Sequence, residues 1–350
     1  MSLQGGKLLG SGTYGCVFDP PLLCDGEPAN KNRLGKITSQ VDFGIEQKAA
    51  ERLAPLGLPY FLVADTKSEC RPTKKQKEKN LGKCKILATA ELPSLVQFTM
   101  PQGGKDLYHR MIDDEIPNYE NLMLQLLEAG AYLISAKFVH YDLSPSNIVV
   151  SPAGQISMID FGMSFAADEI SDKTLELRWK VFNPSYEAEP PEINIMTGLV
   201  NEKGEMTLAN CVTEIMKNKA ILKTADTLLG LRLRKQEKEL MDFWLSSRSA
   251  ANKNWVQFWS LYWPTYDSWA LGVTLLMALR TLLFKKSFVN VGFWQTKGDL
   301  VKTILRGMLQ ANPRKRLDCI EALKMFDPGN AFFEKFGTTW IESRAKQRAI

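Results

Sequence analysis

The chain opens on two short runs in which apolar residues alternate with small ones around glycine, Leu8-Leu9-Gly10 and Cys16-Val17-Phe18. This predicts two strands and a turn. Pro20, Pro21, Asp25, Gly26 and Pro28 mark residues 19–32 as a loop. Leu34–Thr38 reads as a short strand. Ile45, Ala49, Ala50 and Leu53 recur at helical spacing, and Pro55, Gly57 and Pro59 end that helix. Residues 95–100 form another strand, stopped by Pro101-Gln102-Gly103-Gly104. The period then changes: Leu122, Leu124, Leu126, Leu127, Ala131 and Leu133 predict a long helix ending near Lys137. Apolar runs at 148–150 and 156–159 flank Pro152-Ala153-Gly154-Gln155 and should pair as a hairpin. Residues 193–263 are helix-rich. Residues 269–284 are the most apolar stretch, but it is shorter than a membrane span and holds Arg280, so it reads as a buried helix. A β-rich first quarter before a mainly helical remainder predicts an α+β protein.

With 45% hydrophobic residues in 350, the chain can bury a sizeable core. The net charge of +5 suits attraction to phosphates or acidic partners without requiring nucleic acid. Lys74, Lys75, Lys77, Lys79, Lys83 and Lys85 crowd one stretch, read as a solvated loop or hairpin tip; no aromatics interleave to stack on bases. Cysteines at 16, 24, 70, 84, 211 and 319 form no C-x-x-C pair and are expected to be reduced structural residues of a cytosolic protein. His109 and His140 are too few for a His-rich metal site. The first residues lack a secretory pattern, so a cytoplasmic setting without membrane attachment is expected.

The strongest chemical signal is His140-Tyr141-Asp142-Leu143-Ser144-Pro145-Ser146-Asn147, then the hairpin, then Asp160-Phe161-Gly162. Pairing Val150 with Ser157 and counting outward sets Asn147 opposite Asp160. An amide oxygen and a carboxylate suit Mg²⁺, a hard ion that prefers oxygen. Asp142 lies five residues before Asn147, placed to accept or orient the proton of a nearby hydroxyl. Gly10-Ser11-Gly12-Thr13-Tyr14-Gly15-Cys16-Val17 fits G-x-G-x-x-G-x-V, whose backbone N–H groups can approach phosphates. The strand after these glycines favours a strand–turn–strand flap over a dinucleotide fold.

In that order, over nearly its whole length, the chain resembles the eukaryotic-type protein kinase family. The resemblance implies a bilobal fold: an N-lobe over 1–98 with a basic insert at 66–90, a hinge at 99–105, and a C-lobe over 106–345. The C-lobe would hold an activation segment at 160–192 and an insert at 193–263. It implies ATP contacts at Gly10, Ser11, Gly12, Thr13, Gly15 and Val17, phosphate contact at Lys36, and adenine contact through Phe98, Thr99 and Met100. Glu46 is the chosen partner of Lys36, with Glu51 the alternative. Asp142 takes the catalytic role, and Asn147 and Asp160 hold Mg²⁺. Asp267 would accept backbone hydrogen bonds from the catalytic loop, and Glu192 and Arg316 would form a buried ion pair.

Two departures stand out. The family's usual arginine is Tyr141, which implies weak or absent switching by activation-segment phosphorylation. Its usual lysine is Ser144, which removes one cation from the moving phosphate. Ser185 precedes Glu192 by the spacing at which Ser/Thr kinases carry threonine, so a protein Ser/Thr substrate is expected. Two alternatives stand: a small-molecule kinase, since the loop is also similar to that of aminoglycoside and choline kinases, and an ATP-binding scaffold without turnover. The divergent motifs and long insert look similar to kinases of large nucleocytoplasmic DNA viruses. That implies a setting in host cytoplasm, with packaging in the virion as an alternative; the sequence does not reveal the oligomeric state, and a monomer is the expectation.

Overall fold

The computed structural model describes residues 6–12, 14–24, 32–73, 76, 81–178, 181–201, 206–290 and 292–349. Thr13 and the lysines 74, 75, 77 and 79 lie outside the described residues. The chain divides into two compact units, Met1–Lys105 with Val149–Ser164, and Asp106–Ile148 with Phe165–Ile350. The first is built on a β-sheet and the second is mainly helical, as the two-lobed α+β expectation requires.

In the first unit, β1 (Lys7–Ser11), β2 (Gly15–Asp19), β3 (Leu34–Thr38), β4 (Asp65–Cys70) and β5 (Val96–Met100) form an antiparallel sheet in the order β1-β2-β3-β5-β4. The register sets Val17 against Lys36 and Lys36 against Phe98, so the lysine sits mid-sheet. β4 was not expected. Its sequence, DTKSEC, is half-exposed and polar, and as the sheet's edge strand it needs no apolar alternation to signal it.

Helix α1 (Gln40–Leu53) starts at Ser39, whose side chain accepts the Asp42 N–H at 3.1 Å. Phe43, Glu46, Ala49, Ala50 and Leu53 form its buried stripe, and Phe43 meets Phe98 of β5 at 5.4 Å between ring centroids. Glu46 is the one charged residue in that stripe, which calls for a buried partner.

Four of the six cysteines are not reduced, contrary to expectation. Cys16 bonds to Cys84 and Cys24 to Cys70, while Cys211 and Cys319 are thiols buried elsewhere. The bonded partners are 68 and 46 positions apart, so local spacing could not reveal pairs that only the folded sheet brings together. The Cys16–Cys84 bridge lies in a cluster with Phe18, Leu22, Ile37 and Leu95 and pins the end of the lysine stretch, between Lys83 and Lys85, to the strand that follows the glycines. Such long closed loops contribute roughly 2–4 kcal/mol each. Thermal melting with and without a phosphine reductant should show the wild type losing several degrees on reduction. A Cys16→Ser/Cys84→Ser, Cys24→Ser/Cys70→Ser variant should not respond; equal response in both would refute the bridges.

The strands β6 (Lys105–Asp106), β7 (Phe138–Val139), β8 (Ile148–Val150), β9 (Ile156–Met158) and β10 (Phe165–Ala166) are short. The β8–β9 turn closes through the Ser151 N–H on the Gln155 carbonyl at 2.9 Å, with Gly154 at φ +81°. This sets Ser151 opposite Gln155, one residue out of step from the expected Val150–Ser157 pairing, because a left-handed glycine permits a tighter turn. From Val149 on, the hairpin belongs with the first unit: the Met158 N–H donates to the Tyr60 carbonyl at 2.7 Å and Ser157 Oγ to the Pro59 carbonyl at 2.6 Å.

The second unit begins with α2 (Leu107–Ile112) and α3 (Tyr119–Ser135), then α4 (Asp172–Glu176) and α5 (Pro191–Asn201). Together with α5 from residue 193 on, α6 (Leu208–Asn218), α7 (Ala220–Leu229), α8 (Leu233–Ser246), α9 (Arg248–Ala251) and α10 (Trp255–Tyr262) make up the long insert. Next comes α11 (Tyr266–Leu282), which is buried around its whole circumference, so apolar residues on every face are what its position requires. No described helix is long and apolar enough to cross a membrane. The core packs α3 against α11 and against the helix Cys319–Phe326.

Candidate functional site

In the first unit, β1 and β2 form the two sides of a flap. Ser11 pairs with Cys16, Gly10 with Val17, and the Gly12 N–H donates to the Gly15 carbonyl at 2.9 Å. Gly15 has a packing reason to be glycine, since a Cβ there would lie 2.3 Å from the Ile37 carbonyl oxygen. Gly10 and Gly12 do not: a Cβ at Gly10 meets nothing within 4 Å, and one at Gly12 only a backbone oxygen at 3.7 Å. Glycine at these two positions therefore leaves the backbone open to an approaching group. Ser11 Oγ accepts the Lys85 N–H at 2.9 Å, tying the flap to the stretch that bears Cys84.

Lys36 is buried, and its Nζ lies 2.5 Å from Glu46 Oε1 and 2.7 Å from Asp160 Oδ1. Burial alone would lower its pKa, but the Asp160 and Glu46 carboxylates outweigh that and hold it above the ordinary lysine range. The lysine is thus charged at neutral pH. The Asp160 side chain is 42% exposed, so its carboxylate also faces outward. Its backbone lies at φ +64°, a left-handed setting that costs on the order of 1–3 kcal/mol in a non-glycine residue and recurs at functional sites. Phe161, next in sequence, is fully buried and meets Phe61 edge-on.

Glu51 is exposed on α1, so the structure brings Glu46, not Glu51, to Lys36. Glu46→Gln should therefore lose about 1–3 kcal/mol of stability by weakening the support of a buried charge, with Glu51→Gln within about 0.5 kcal/mol of wild type. Urea titration of the two variants checks this, and equal losses would contradict it. On β5, Phe98 is buried against Phe43, and the Thr99 N–H is taken by Ser68 Oγ at 2.8 Å. Met100 is the last strand residue and is buried.

In the second unit, the His140 and Tyr141 N–H groups donate to the two carboxylate oxygens of Asp267 at 2.7 and 2.9 Å. Asp267 opens α11, so the most buried helix fixes the loop from below. Tyr141 takes φ +68°, which turns the chain into Asp142. Asn147 Nδ2 donates to the Asp142 carbonyl at 2.8 Å. That bond commits the amide nitrogen and leaves the Asn147 oxygen as the face suited to a hard cation. Glu192 and Arg316 form the expected pair: both are wholly buried, joined by two 2.7 Å bonds.

A sequence model of the protein kinase domain matches residues 64–326, more than half of the chain. The chain belongs to the protein kinase family. The matched stretch holds the loop at 140–147, Asp160 and the Glu192–Arg316 pair, and begins after the glycine flap, Lys36 and Glu46. The kinase is 25% identical over 234 residues to the serine/threonine-protein kinase ppk23 of Schizosaccharomyces pombe, covering 66% of this chain and 52% of that protein. It is 26% identical over 183 residues to the Fer-related kinase 1 of Caenorhabditis elegans, covering 51% and 42%. A shorter match, 32% over 111 residues, is to the Cyclin-dependent kinase 2 of the same organism, covering 30% and 28%. The chain spans about half or less of the length of these relatives.

Three residues around the kinase loop escaped the sequence reading. Tyr186, half-buried, donates its hydroxyl to Asp142 Oδ1 at 3.0 Å. Burial, reinforced by the charge and hydrogen bond of Asp142, raises the phenol well above its ordinary pKa, so it stays a donor at neutral pH. Trp259 of α10 lies 5.1 Å from the Tyr141 ring and 5.0 Å from Phe165. Lys219, between α6 and α7, reaches the Tyr186 carbonyl. Tyr186 follows Ser185, the residue singled out by family spacing; Ser185 itself is exposed and donates to Asn183 Oδ1 at 2.7 Å. Nothing in local periodicity marks the other two.

Proposed function

We propose that this kinase transfers the γ-phosphate of ATP to Ser or Thr hydroxyls of protein substrates. One observation supports it above the rest: the buried Lys36 is held between the buried Glu46 and the partly exposed Asp160 in an ion triad. In the family this lysine grips the α- and β-phosphates, and its pairing with the helix glutamate accompanies the active state. In this reading the flap at Gly10, Ser11, Gly12, Thr13, Gly15 and Val17 covers the nucleotide, and residues 98–100 border its base. Asn147 and Asp160 supply the oxygens for Mg²⁺, which would neutralise charge on the phosphates. The acceptor hydroxyl oxygen attacks the γ-phosphorus, the bond to the ADP oxygen breaks, and Asp142 takes the hydroxyl proton. Three relatives whose names include serine/threonine-protein kinase add weight to Ser/Thr as acceptor.

The test is incubation with γ-labelled ATP, Mg²⁺ and mixed protein substrates, followed by phosphoamino-acid analysis. Label on serine and threonine, abolished by EDTA, is expected. Label mainly on tyrosine or on small alcohols would overturn the acceptor assignment. Stabilisation by ATP without any transfer would favour the scaffold reading that Ser144 suggests. A monomer, a cytoplasmic or virion setting and a viral source belong to the same reading; sedimentation and the neighbouring genes test them.

A further inference from the structure

Residues 181–190 form neither helix nor strand, so this segment, which runs from the start of α5 back toward Asp142, lacks the regular bonds that fix a backbone. The insert, together with Trp269 of α11, supplies them. Lys219 is the single residue between α6 and α7 and is wholly buried. Its Nζ donates to the Tyr186 carbonyl at 2.5 Å and to the Glu189 carbonyl at 3.0 Å. The Glu187 carboxylate accepts the Ala220 and Ile221 N–H groups at 2.8 and 2.9 Å, the first amides of α7, which no helical carbonyl can serve. Trp269 Nε1 donates to the Glu187 carbonyl at 2.9 Å. Three carbonyls within four residues are thereby pinned, and the outcome is Tyr186 on Asp142 at 3.0 Å.

The insert also reaches the residue before Asp142. Where the family's arginine would await a phosphate, Tyr141 packs among Trp259 of α10, Phe165 and Tyr266. An aromatic contact that is always made stands in the place of one made only after modification. Burying a lysine is otherwise unfavourable: desolvation pulls Lys219 down to about 8, against the opposing charges of Glu189, Glu187 and Glu192. An apolar residue would fill the same space at less cost, so the two directed bonds are what the lysine contributes.

We propose that the 193–263 insert is a built-in clamp that replaces activation-segment phosphorylation, with Lys219 a positioning residue that acts through Tyr186 on Asp142. The clamp rests on the reading of Asp142 as the proton acceptor. Tyr186 fixes the plane of that carboxylate, and misplacement of a reacting group by about 1 Å can cost 10²-fold in rate.

The experiment uses the full chain after phosphatase treatment, with intact mass confirming that no phosphate remains. Wild type, Tyr186→Phe, Lys219→Met, the double variant and Asp142→Ala are compared for kcat and for the KM of ATP. Unphosphorylated wild type should turn over at its full rate. Tyr186→Phe should melt within a few degrees of wild type yet lose about tenfold or more in kcat, with the KM of ATP within twofold. Lys219→Met should lose as much, and the double variant no more than Lys219→Met alone, the non-additivity expected of residues acting in series. Wild-type or faster turnover in Tyr186→Phe, with Asp142→Ala inactive, overturns the clamp and leaves Asp142 in place. Loss of turnover on phosphatase treatment overturns it as well. Retained turnover in Asp142→Ala overturns the reading of Asp142 itself.

Discussion

Asp142→Asn is expected to lower turnover by roughly 10²–10⁴-fold, the usual contribution of a positioned general base. The substitution keeps the side chain's size and leaves an oxygen to accept from Tyr186. The loop should hold its shape, because it hangs on backbone groups: the His140 and Tyr141 N–H groups donate to Asp267, and the Asp142 carbonyl accepts from Asn147 Nδ2. The KM of ATP should therefore stay within about threefold of wild type, since in the proposed reading Asp142 handles the acceptor and not the nucleotide. Turnover within threefold of wild type would remove Asp142 from the chemistry. A parallel rise in KM would mean that the loop had collapsed.

Arg316→Met should destabilise the helical unit by roughly 3–5 kcal/mol, the cost of leaving a buried charge without its partner. Arg316 donates to both Glu192 oxygens, to the Gln310 carbonyl at 2.9 Å and to the Ala311 carbonyl at 3.2 Å, and its guanidinium lies 5.0 Å from the Trp269 ring. All of these are lost at once, while Glu192 stays wholly buried. Glu192 heads α5, just past the segment that carries Tyr186, so activity should fall along with stability. Adding Glu192→Leu should recover part of the loss, because no uncompensated charge then remains. Urea titration of the single and double variants reads both effects. A loss below about 1 kcal/mol in Arg316→Met would show that the pair is not the anchor its geometry suggests.

Much of the fold was legible because it is written in short-range pattern. The stripe of α1, the β8–β9 hairpin and the apolar run of α11 each carry their own period. Lys36, Glu46 and Asp160 lie on a strand, a helix and the residue pair after a strand, so fixing those elements nearly fixes the side chains. What stayed hidden depends on distant packing. Each disulfide ties a sheet strand to a loop residue far off in sequence, Cys16 of β2 to Cys84 and Cys70 of β4 to Cys24, and β4 is a polar edge strand with nothing to alternate. Tyr186 is held by a lysine 33 positions later, in an insert that the family pattern does not describe. The hairpin register slipped by one because a left-handed Gly154 closes the turn more tightly than apolar matching alone implies.

In the proposed reading, Asn147 and Asp160 serve one Mg²⁺ ion beside ATP. A crystal structure with a non-hydrolysable ATP analogue and Mg²⁺ tests it most directly. The account predicts a single ion about 2.1 Å from both Asn147 Oδ1 and an Asp160 carboxylate oxygen, with Lys36 Nζ on a phosphate oxygen. An ion held without either residue, or Asn147 and Asp160 too far apart to share one in the nucleotide-bound protein, would contradict it.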